Sequence, residues 1–414
     1  MIGSTSFHRR PAGCALLLSL VVAVACAASP WEAALHLHSN ATRDAFNARC
    51  LDGSNGGFYY RPAKTAAAKT QWKIHFQGGG WCTYHSGCAE RAKSILGSSS
   101  FFPPTLSAFW PPEYAGFSGL MGYNDTTVAV TGDFNFVWLA YCDGTSQTSD
   151  VAEPYVFENV TVYLRGRALL EAHLAELESE YGFLSTATEV VVSGTSAGGL
   201  STHLHAPTIA AALRVPSARV VAVPDAGFWW DSPAYGNASQ RPWIDMMTPA
   251  VQFWNLSLTS ADGRACLAAN AASPVRCVTQ PYLSNFSSTP TFHVQSLYDL
   301  YNLDYCFKFP CSLGASCNAS EVAAAHDFRD RMEAAIIGAE VVHGDRDGHA
   351  LTACYQHEES CRAADWFGIT IGGQTLENTF AAWYLRGGAD PGAKRVDGRW
   401  PSDATCPNIT HGAC

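Results

Sequence analysis

Short runs of β-branched residues alternate with helical stretches along most of this 414-residue chain. Such alternation is typical of a mainly parallel sheet that is covered by helices. We therefore predict an α/β fold in which helices flank the sheet and inserted loops form a substrate site. The clearest helix is predicted over residues 162–182, where apolar residues recur at helical spacing up to Gly182. The predicted strands cover residues 72–77, 134–141, 188–194, 218–225, 291–299 and 339–345.

Two stretches interrupt this alternation. Residues 97–124 are rich in Pro, Gly and aromatic residues, which predicts an ordered loop above the sheet. Residues 242–258, together with the cysteine-bearing region up to residue 287, predict an insertion between two strands. Because pockets are lined mainly by apolar and aromatic side chains, either stretch is a candidate wall of the substrate site.

The amino-terminal residues have the plan of a secretory signal. Arg9 and Arg10 supply positive charge, a short apolar run follows, and Ala25-Cys26-Ala27 matches a small-x-small cleavage site. The apolar run is too short for a stable membrane span. We therefore predict a signal peptide over residues 1–27 and no stable membrane insertion of the mature chain.

The charge of the chain argues against nucleic acid as a partner. Its formal net charge is -10, and removal of two arginines with the signal makes it -12. No Pro/Ser-rich or charged linker divides the rest, so residues 28–414 are predicted to form one domain with a core over about residues 50–384. The sequence carries no signal for the oligomeric state.

Sequons and cysteines agree with export. Thirteen cysteines remain after loss of Cys14 and Cys26, and an oxidising compartment would pair all of them except one. None has the two-residue spacing of a zinc ribbon, so we expect no metal. We predict a secreted glycoprotein of the cell wall or extracellular matrix. Asn-x-Ser/Thr sequons occur at Asn40, Asn124, Asn159, Asn237, Asn255, Asn285, Asn318 and Asn408.

A possible nucleophile stands in the sequence "VVVSGTSAGGLSTHLH". Ser196 follows a predicted strand and precedes a predicted helix, with Gly194 and Gly198 two positions away on either side. A serine on such a strained strand-to-helix turn projects toward substrate, and only small neighbours fit there. We therefore interpret Ser196 as the nucleophile of an acyl-transfer site.

Acyl transfer also requires donors for the oxyanion that forms on the attacked carbonyl. The stretch "QGGGWC" follows an early predicted strand and offers the amides of Gly79 and Gly80, while Ala197 directly follows the nucleophile. Neither a Lys-Ser/Thr pair nor a G-x-G-x-x-G pattern accompanies the glycines, which argues against a phosphate loop. Cys82 and Cys88 are placed to close a small ring that fixes this loop.

The base and its acid are expected later in the chain, in the order Ser, Asp, His that α/β-hydrolases use. Asp299 ends a predicted strand, and Asp225 at the end of an earlier strand is its rival; strand order favours Asp299. His343, His349 and His357 all lie near the last predicted strand, with His349 expected in the loop after it. Spacing alone leaves the choice between the histidines open.

Five motifs together resemble the pectin acetylesterase family, which also contains the Notum carboxylesterases. They are "QGGGWC" with a following cysteine, "GTSAGG", "PDAGFW", "QSLYD" and "ACYQHEE". The resemblance runs from about residue 50 to about residue 384. The resemblance implies a carboxylic ester hydrolase that needs no cofactor. It places the nucleophile on Ser196, the acid on Asp299 and the base on His357. It also implies that the amides of Gly79, Gly80 and Ala197 form the oxyanion hole.

The resemblance leaves the substrate open between two classes of acylated molecule. The glycine triplet is closer to the plant branch, whereas "QHEE" is closer to the animal branch, and Thr195 stands where plant members usually have Cys. We expect an acetylated cell-wall polysaccharide such as pectin. The alternatives are a Notum-like deacylation of protein and an inactive secreted binding protein. Trp81, Asp225 and Phe228, which lie in the motifs, are expected to line the substrate site.

Overall fold

The computed structural model describes residues 32–109, 119–122, 130–401 and 405–406. The predicted signal segment lies outside these residues. The described strands are β1 Ala34–Leu37, β2 Gly57–Arg61, β3 Gln71–Phe76, β4 Asn135–Leu139, β5 Tyr155–Phe157, β6 Val160–Val162, β7 Glu189–Thr195, β8 Arg219–Asp225, β9 Phe292–Ser296, β10 Gly348–Thr352, β11 Thr370–Ile371, β12 Gln374–Thr375 and β13 Lys394–Val396. The described α-helices are α1 Asn40–Phe46, α2 His85–Arg91, α3 Gly166–Tyr181, α4 Phe183–Thr186, α5 Ala197–Ala212, α6 Pro242–Phe253, α7 Ala261–Ala269, α8 Gln280–Leu283, α9 Ala319–Val341, α10 Ala363–Trp366 and α11 Leu376–Arg386.

Nine of the described strands form one central sheet, in the order β1-β2-β4-β3-β7-β8-β9-β10-β13. The strands from β4 to β13 in this order are parallel to one another, and β1 and β2 pair antiparallel at one edge. The predicted α/β class with a mainly parallel sheet is confirmed. Because the strands from β3 to β10 run the same way, their carboxyl ends lie at one edge of the sheet.

The valines of β7 show why this sheet is covered on both faces. Val190 and Val192 pack in a cluster with Leu170 of α3, while Val191 packs in a second cluster with Phe380 of α11. Successive side chains of a strand point to opposite faces, so a continuous apolar run needs a helix on each side. The run therefore places β7 in the centre of the sheet.

Helix α3 confirms the helix that was predicted over residues 162–182. It ends at Gly182, which adopts a left-handed conformation with φ of 67° and donates its amide to Glu178. A glycine in this position satisfies the last carbonyls of a helix at no steric cost. The following strands at residues 188–194 and 218–225 were also predicted correctly, as β7 and β8.

The strand predicted over residues 339–345 is wrong. These residues include the end of α9 and the turn that follows it, and the strand is instead β10, Gly348–Thr352. The β-branched Val341 and Val342 are exposed where α9 ends, whereas β10 is buried along its whole length. Hydrogen bonds to the two neighbouring strands outweighed local propensity here.

The insertion predicted between two strands is confirmed and contains α6, α7 and α8. The predicted loop over residues 97–124 is described only in part. Residues 104–106 run beside β1 at the sheet edge, with Leu35 donating to Pro104. Leu120 donates its amide to the carbonyl of Ser360.

Disulfides brace the described chain, and the predicted Cys82–Cys88 ring is confirmed. Cys361 is also disulfide-bonded, and Cys306 is the free, buried cysteine of the described residues. Among these residues, one close group of possible metal ligands combines Glu321 with two cysteines, but the sulfurs of those cysteines are already joined. The remaining disulfides are Cys50–Cys142, Cys266–Cys277, Cys311–Cys317 and Cys354–Cys406.

The sequons lie on the surface wherever they are described. Asn124 and Asn408 fall outside the described residues. In the part of the chain that the structure covers, no helix is both long and apolar enough to cross a membrane. The exposed sequon asparagines are Asn40, Asn159, Asn237, Asn255, Asn285 and Asn318.

Candidate active site

Ser196 occupies a strained turn between β7 and α5. Its φ of 55° and ψ of -119° lie outside the regions that side-chain-bearing residues prefer. Its amide donates to the carbonyl of Asp225 at 2.9 Å, which fixes the turn against β8. A Cβ on Gly198 would lie 2.0 Å from the carbonyl oxygen of Phe76, and one on Gly194 would lie 2.2 Å from that of Gly198. The turn therefore requires small residues at both positions.

His357 and Asp299 form a hydrogen-bonded pair. The Nδ1 atom of His357 lies 2.6 Å from Oδ2 of Asp299, whose side chain is fully buried. The other carboxylate oxygen of Asp299 accepts bonds from the backbone and side-chain amides of Asn302, at 2.8 and 3.1 Å. Nε2 of His357 is buried and has no partner among the described residues. Asp299 thus orients the imidazole through Nδ1, and Nε2 is left without a hydrogen-bond partner among the described residues.

The Asp299 carboxylate also controls the charge of the imidazole. Burial lowers the pKa of His357, but the charge and the hydrogen bond of Asp299, together with the charges of Glu358 and Asp225, hold this pKa above its ordinary value. A His with an adjacent carboxylate is well suited to accept a proton and to remain stable as imidazolium.

The candidate nucleophile and base both follow strands that end at the carboxyl edge of the sheet. Ser196 directly follows β7, Asp299 follows β9, and His357 follows β10. Asp225, at the end of β8, connects the two sides: its carbonyl accepts the amide of Ser196, and its Oδ2 accepts the amides of Glu359 and Ser360. The order of the strands thus brings residues far apart in sequence to one place.

The glycine loop after β3 presents free amide groups at the same edge. Gly79 and Gly80 have φ of 125° and 66°, which favour glycine. Their carbonyls are engaged, with Arg91 donating to Gly79 at 2.8 Å and the Tyr141 hydroxyl donating to Gly80 at 2.9 Å. The amides of Gly79, Gly80 and Ala197 donate to no described residue. Three unpaired donors of this kind are what an oxyanion requires.

The Cys82–Cys88 disulfide holds the end of this loop. The amide of Cys82 donates to Gly144 at 3.0 Å, and its carbonyl accepts the indole N–H of Trp254 at 2.8 Å. Trp81, one residue earlier, is half-buried and donates its indole N–H to the Ser146 hydroxyl at 2.7 Å. The loop is therefore fixed directly after the free amides of Gly79 and Gly80.

The three residues that were expected to line the substrate site have different positions. The indole of Trp81 meets Trp229 edge-on at 5.0 Å, near His357, whose ring is 6.4 Å from Trp229. The Asp225 side chain is buried behind the loop that carries His357. Phe228 is buried and lines a cavity of about 20 Å³ together with His203, His293 and other residues.

The two other candidate histidines have partners of their own. His349 lies within β10, not in a loop after a strand as predicted, and its Nδ1 is 2.9 Å from Glu340. His343 uses both ring nitrogens, on Asp347 at 2.6 Å and on the Ser284 carbonyl at 2.7 Å. Of the three, His357 has a buried ring nitrogen without a hydrogen-bond partner among the described residues.

Several residues of the site carried no recognisable sequence signal. Asn302 donates to Asp299, and Arg91 donates to the carbonyl of Gly79 in the glycine loop. Glu359 accepts hydrogen bonds from Thr352 and Gln356 and so stabilises residues 353–362, the loop that carries His357 and is called the base loop below. Asn302 and Arg91 lie outside the five motifs, and Glu359 lies in "ACYQHEE" but had no role assigned from it. Their roles depend on contacts between segments distant in sequence, which a single sequence does not reveal.

A family model described as Pectinacetylesterase matches residues 28–407. The chain belongs to this family. Pectin acetylesterase 5 of Arabidopsis thaliana is 27% identical over 378 residues, which cover 87% of this chain and 82% of the relative. Palmitoleoyl-protein carboxylesterase NOTUM of Schmidtea mediterranea is 25% identical over 353 residues, which cover 82% of this chain and 62% of the relative. The similarity to these relatives supports carboxylic ester hydrolase activity for this member of the pectinacetylesterase family.

A solved structure, that of the Wnt deacylase Notum from Drosophila, shares the fold of this pectinacetylesterase family member. The TM-score is 0.73 at 20% sequence identity, with 91% of this chain and 100% of that chain covered. Together with the sheet order, this likeness confirms the predicted α/β-hydrolase-like fold.

The Asp299–His357 pair generates a pH prediction. Asp299→Asn should lower kcat on p-nitrophenyl acetate by roughly 10⁴-fold, because the wrong tautomer of the imidazole is favoured. A base acts when it is neutral, so activity rises with pH through the pKa of His357. Without the carboxylate that raises this pKa, the acid limb of the residual activity should move to lower pH.

Asp347→Asn is the matched control, since Asp347 contacts His343 in the same way outside the candidate site. Its pH profile should match that of the wild type. An acid limb that stays in place in Asp299→Asn would contradict the assigned pairing.

Proposed function

We propose that this protein is a secreted serine carboxylic ester hydrolase that removes acetyl groups from an acetylated cell-wall polysaccharide such as pectin. The main support is the arrangement at the carboxyl edge of the sheet. There a strained serine, a His–Asp pair with an unpartnered Nε2, and three free amides occur on adjacent segments. Ser196, Asp299 and His357 are the proposed triad.

In the first step, Oγ of Ser196 attacks the ester carbonyl carbon while Nε2 of His357 takes the hydroxyl proton. The negative charge that develops on the carbonyl oxygen is stabilised by the amides of Gly79, Gly80 and Ala197. Collapse of this intermediate breaks the bond to the sugar oxygen, which leaves with the proton from His357. The acetyl group is then bonded to Ser196.

In the second step, water replaces the alcohol. His357 removes a proton from the water, whose oxygen attacks the acetyl carbon, and the same amides stabilise the second oxyanion. The proton returns to Oγ of Ser196, and acetate is released. Asp299 stabilises the imidazolium in both steps and remains ionised.

The packing around α6 supports a short acyl group. Trp229 and Trp243 are buried and stacked, with ring centres 5.0 Å apart, and Trp81 meets both of them edge-on. Met247 and other apolar residues of α6 belong to the same core cluster, together with Trp254. These side chains of residues 242–258, which were a candidate wall of the substrate site, therefore pack the core of the insertion.

An aromatic path leads from the base to the surface and supports a sugar substrate. Tyr301 stacks on His357 at 5.6 Å, and Tyr305, which is 55% exposed, stacks on Tyr301 at 4.4 Å. The ammonium of Lys308 lies 5.8 Å from the ring centre of Tyr305 and forms no ion pair with a described residue. An exposed ring with an adjacent cation suits a sugar that carries a carboxylate.

Two alternatives, a protein deacylase and an inactive binding protein, are supported by fewer observations than the acetylesterase. The likeness to the Notum carboxylesterases favours a deacylase that acts on acylated protein, as the names of those relatives indicate. An inactive secreted binding protein is disfavoured because every proposed triad and oxyanion residue is present. The disulfides and the exposed sequons support a secreted protein in either case.

The first prediction from this proposal concerns the nucleophile. A fluorophosphonate probe should label Ser196 of the wild type, and both Ser196→Ala and His357→Ala should lower kcat on p-nitrophenyl acetate by several orders of magnitude. His349→Gln is the control and should retain kcat. An unlabelled wild type would favour the binding protein, and an active His357→Ala would exclude the proposed base.

The second prediction concerns the acyl group. Across p-nitrophenyl esters from acetyl to palmitoyl, kcat/KM should be highest for acetyl and should fall roughly 10-fold or more with longer chains, because the stacked tryptophans leave them no room. Ser196→Ala provides the blank. An optimum at octanoyl or longer would favour the lipid-deacylase alternative.

The third prediction concerns the sugar. Lys308→Gln should raise KM for acetylated pectin about two- to fivefold, the range for an exposed ion pair, without changing KM for acetylated xylan. Lys69→Gln makes the same charge change near the amino end of β3, away from the site, and should leave both values unchanged. An equal rise on both polymers would contradict the role of Lys308 in binding a carboxylate.

A further inference from the structure

Two buried carboxyl groups stand beside the proposed triad, and the mechanism does not use them. Asp225 ends β8, and Glu359 follows His357 by two positions; their exposed fractions are 1% and 0%. Ionised side chains are rarely buried to this extent without a cation or a metal ion. Their presence next to the base loop therefore calls for a function.

Asp225 connects the nucleophile turn to the base loop. Its carbonyl accepts the Ser196 amide at 2.9 Å, and its Oδ2 accepts the amides of Glu359 and Ser360 at 2.7 and 2.6 Å. Two amide bonds to one carboxylate oxygen are strong, charge-assisted contacts. They fix the chain just after His357 relative to Ser196.

Glu359 braces the same loop from within. Its Oε1 accepts the hydroxyl of Thr352 at 2.5 Å and the side-chain amide of Gln356 at 3.1 Å. Thr352 is the last residue of β10, and Gln356 directly precedes His357. The side chain thus links the end of the strand to the residues on both sides of the base.

Each of the two carboxyl groups has one oxygen left over. Oδ1 of Asp225 and Oε2 of Glu359 are both buried without a hydrogen-bond partner among the described residues. We propose that Asp225 and Glu359 are positioning residues that share one proton, with protonated Glu359 donating to Asp225, and that this pair holds His357 toward Ser196. The inference rests on the proposed triad.

The surrounding charges favour a single proton on the pair. The acidic neighbours are Glu358 beside Asp225 and Asp365 beside Glu359, and Arg362 is already bonded to Asp365 at 2.5 Å. His357 is a further titratable group near Asp225, whose charge raises the pKa of this imidazole. Two full negative charges in this environment would repel each other strongly.

The direction of the pKa shifts agrees with this arrangement. Burial, together with the nearby Asp225, raises the pKa of Glu359 well above its usual value, and burial raises the pKa of Asp225 to about 7. Protonated Glu359 therefore stabilises the fold fully below its unfolded pKa, and this contribution is lost as pH rises through its folded pKa. Alkaline pH should release the loop.

The experiment compares Glu359→Gln, Glu359→Ala and the wild type on p-nitrophenyl acetate, from mildly acidic to alkaline pH. Glutamine keeps the acceptor for Thr352 and supplies a permanent donor to Asp225, so its alkaline loss of kcat should move to higher pH. Alanine removes both contacts and should lower kcat about 10- to 100-fold at every pH, because the base is misplaced. Thermal unfolding over the same pH range should show the smallest alkaline loss in Glu359→Gln.

Glu340→Gln is the control, since Glu340 is buried against His349 on β10 and lies outside the base loop. It should leave the alkaline limb of kcat unchanged. The inference is overturned if Glu359→Gln has the alkaline limb of the wild type, or if Gln and Ala at this position behave alike. If Ser196→Ala keeps its activity, the proposed triad is wrong. The thermal unfolding measurement does not depend on the triad and still tests whether Glu359 and Asp225 share a proton.

Discussion

The backbone hydrogen bond from Ser196 to Asp225 is the contact on which the geometry of the site depends. It joins the turn after β7 to the end of β8 and holds Ser196 in a conformation that its side chain disfavours. The strain is tolerated because the small residues around the turn allow α5 to approach β3 closely. The backbone conformation of Ser196 is thus fixed by a hydrogen bond to the neighbouring strand rather than left to a flexible loop.

The same edge of the sheet brings together backbone amides, which carry partial positive charge, and carboxyl groups, which can carry full negative charge. Free amides after β3 and at the start of α5 are suited to negative charge that appears during reaction. Behind His357, buried carboxyl groups limit how much negative charge can be present at rest. Electrostatic interactions are stronger in a medium of low polarity, so the proposed shared proton would couple the protonation of the base loop to the proposed reactivity of Ser196.

Much of the fold and the arrangement of the candidate site could be predicted from local patterns. The valine run before Ser196 predicted a buried central strand, and the glycines around the serine predicted its turn. Strand β10 could not be predicted, because its sequence "GHALT" has little β propensity and its pairing depends on distant partners. Spacing alone did not separate His357 from His349 for the same reason, since only the folded structure shows that His349 lies within β10 against Glu340 and that His357 pairs with Asp299.

The strand order has a consequence for how the protein acquires activity. Ser196 is in place once β7 and α5 have formed, but His357 comes from a loop that β10 carries to the edge much later in the chain. Contacts of such long sequence separation form late in folding. With the proposed triad, a partly synthesised or partly folded chain would have Ser196 in place but would lack His357, and hydrolytic activity would report completion of the whole sheet. The proposed hydrolytic activity would therefore be absent during synthesis and would appear only in the fully folded chain.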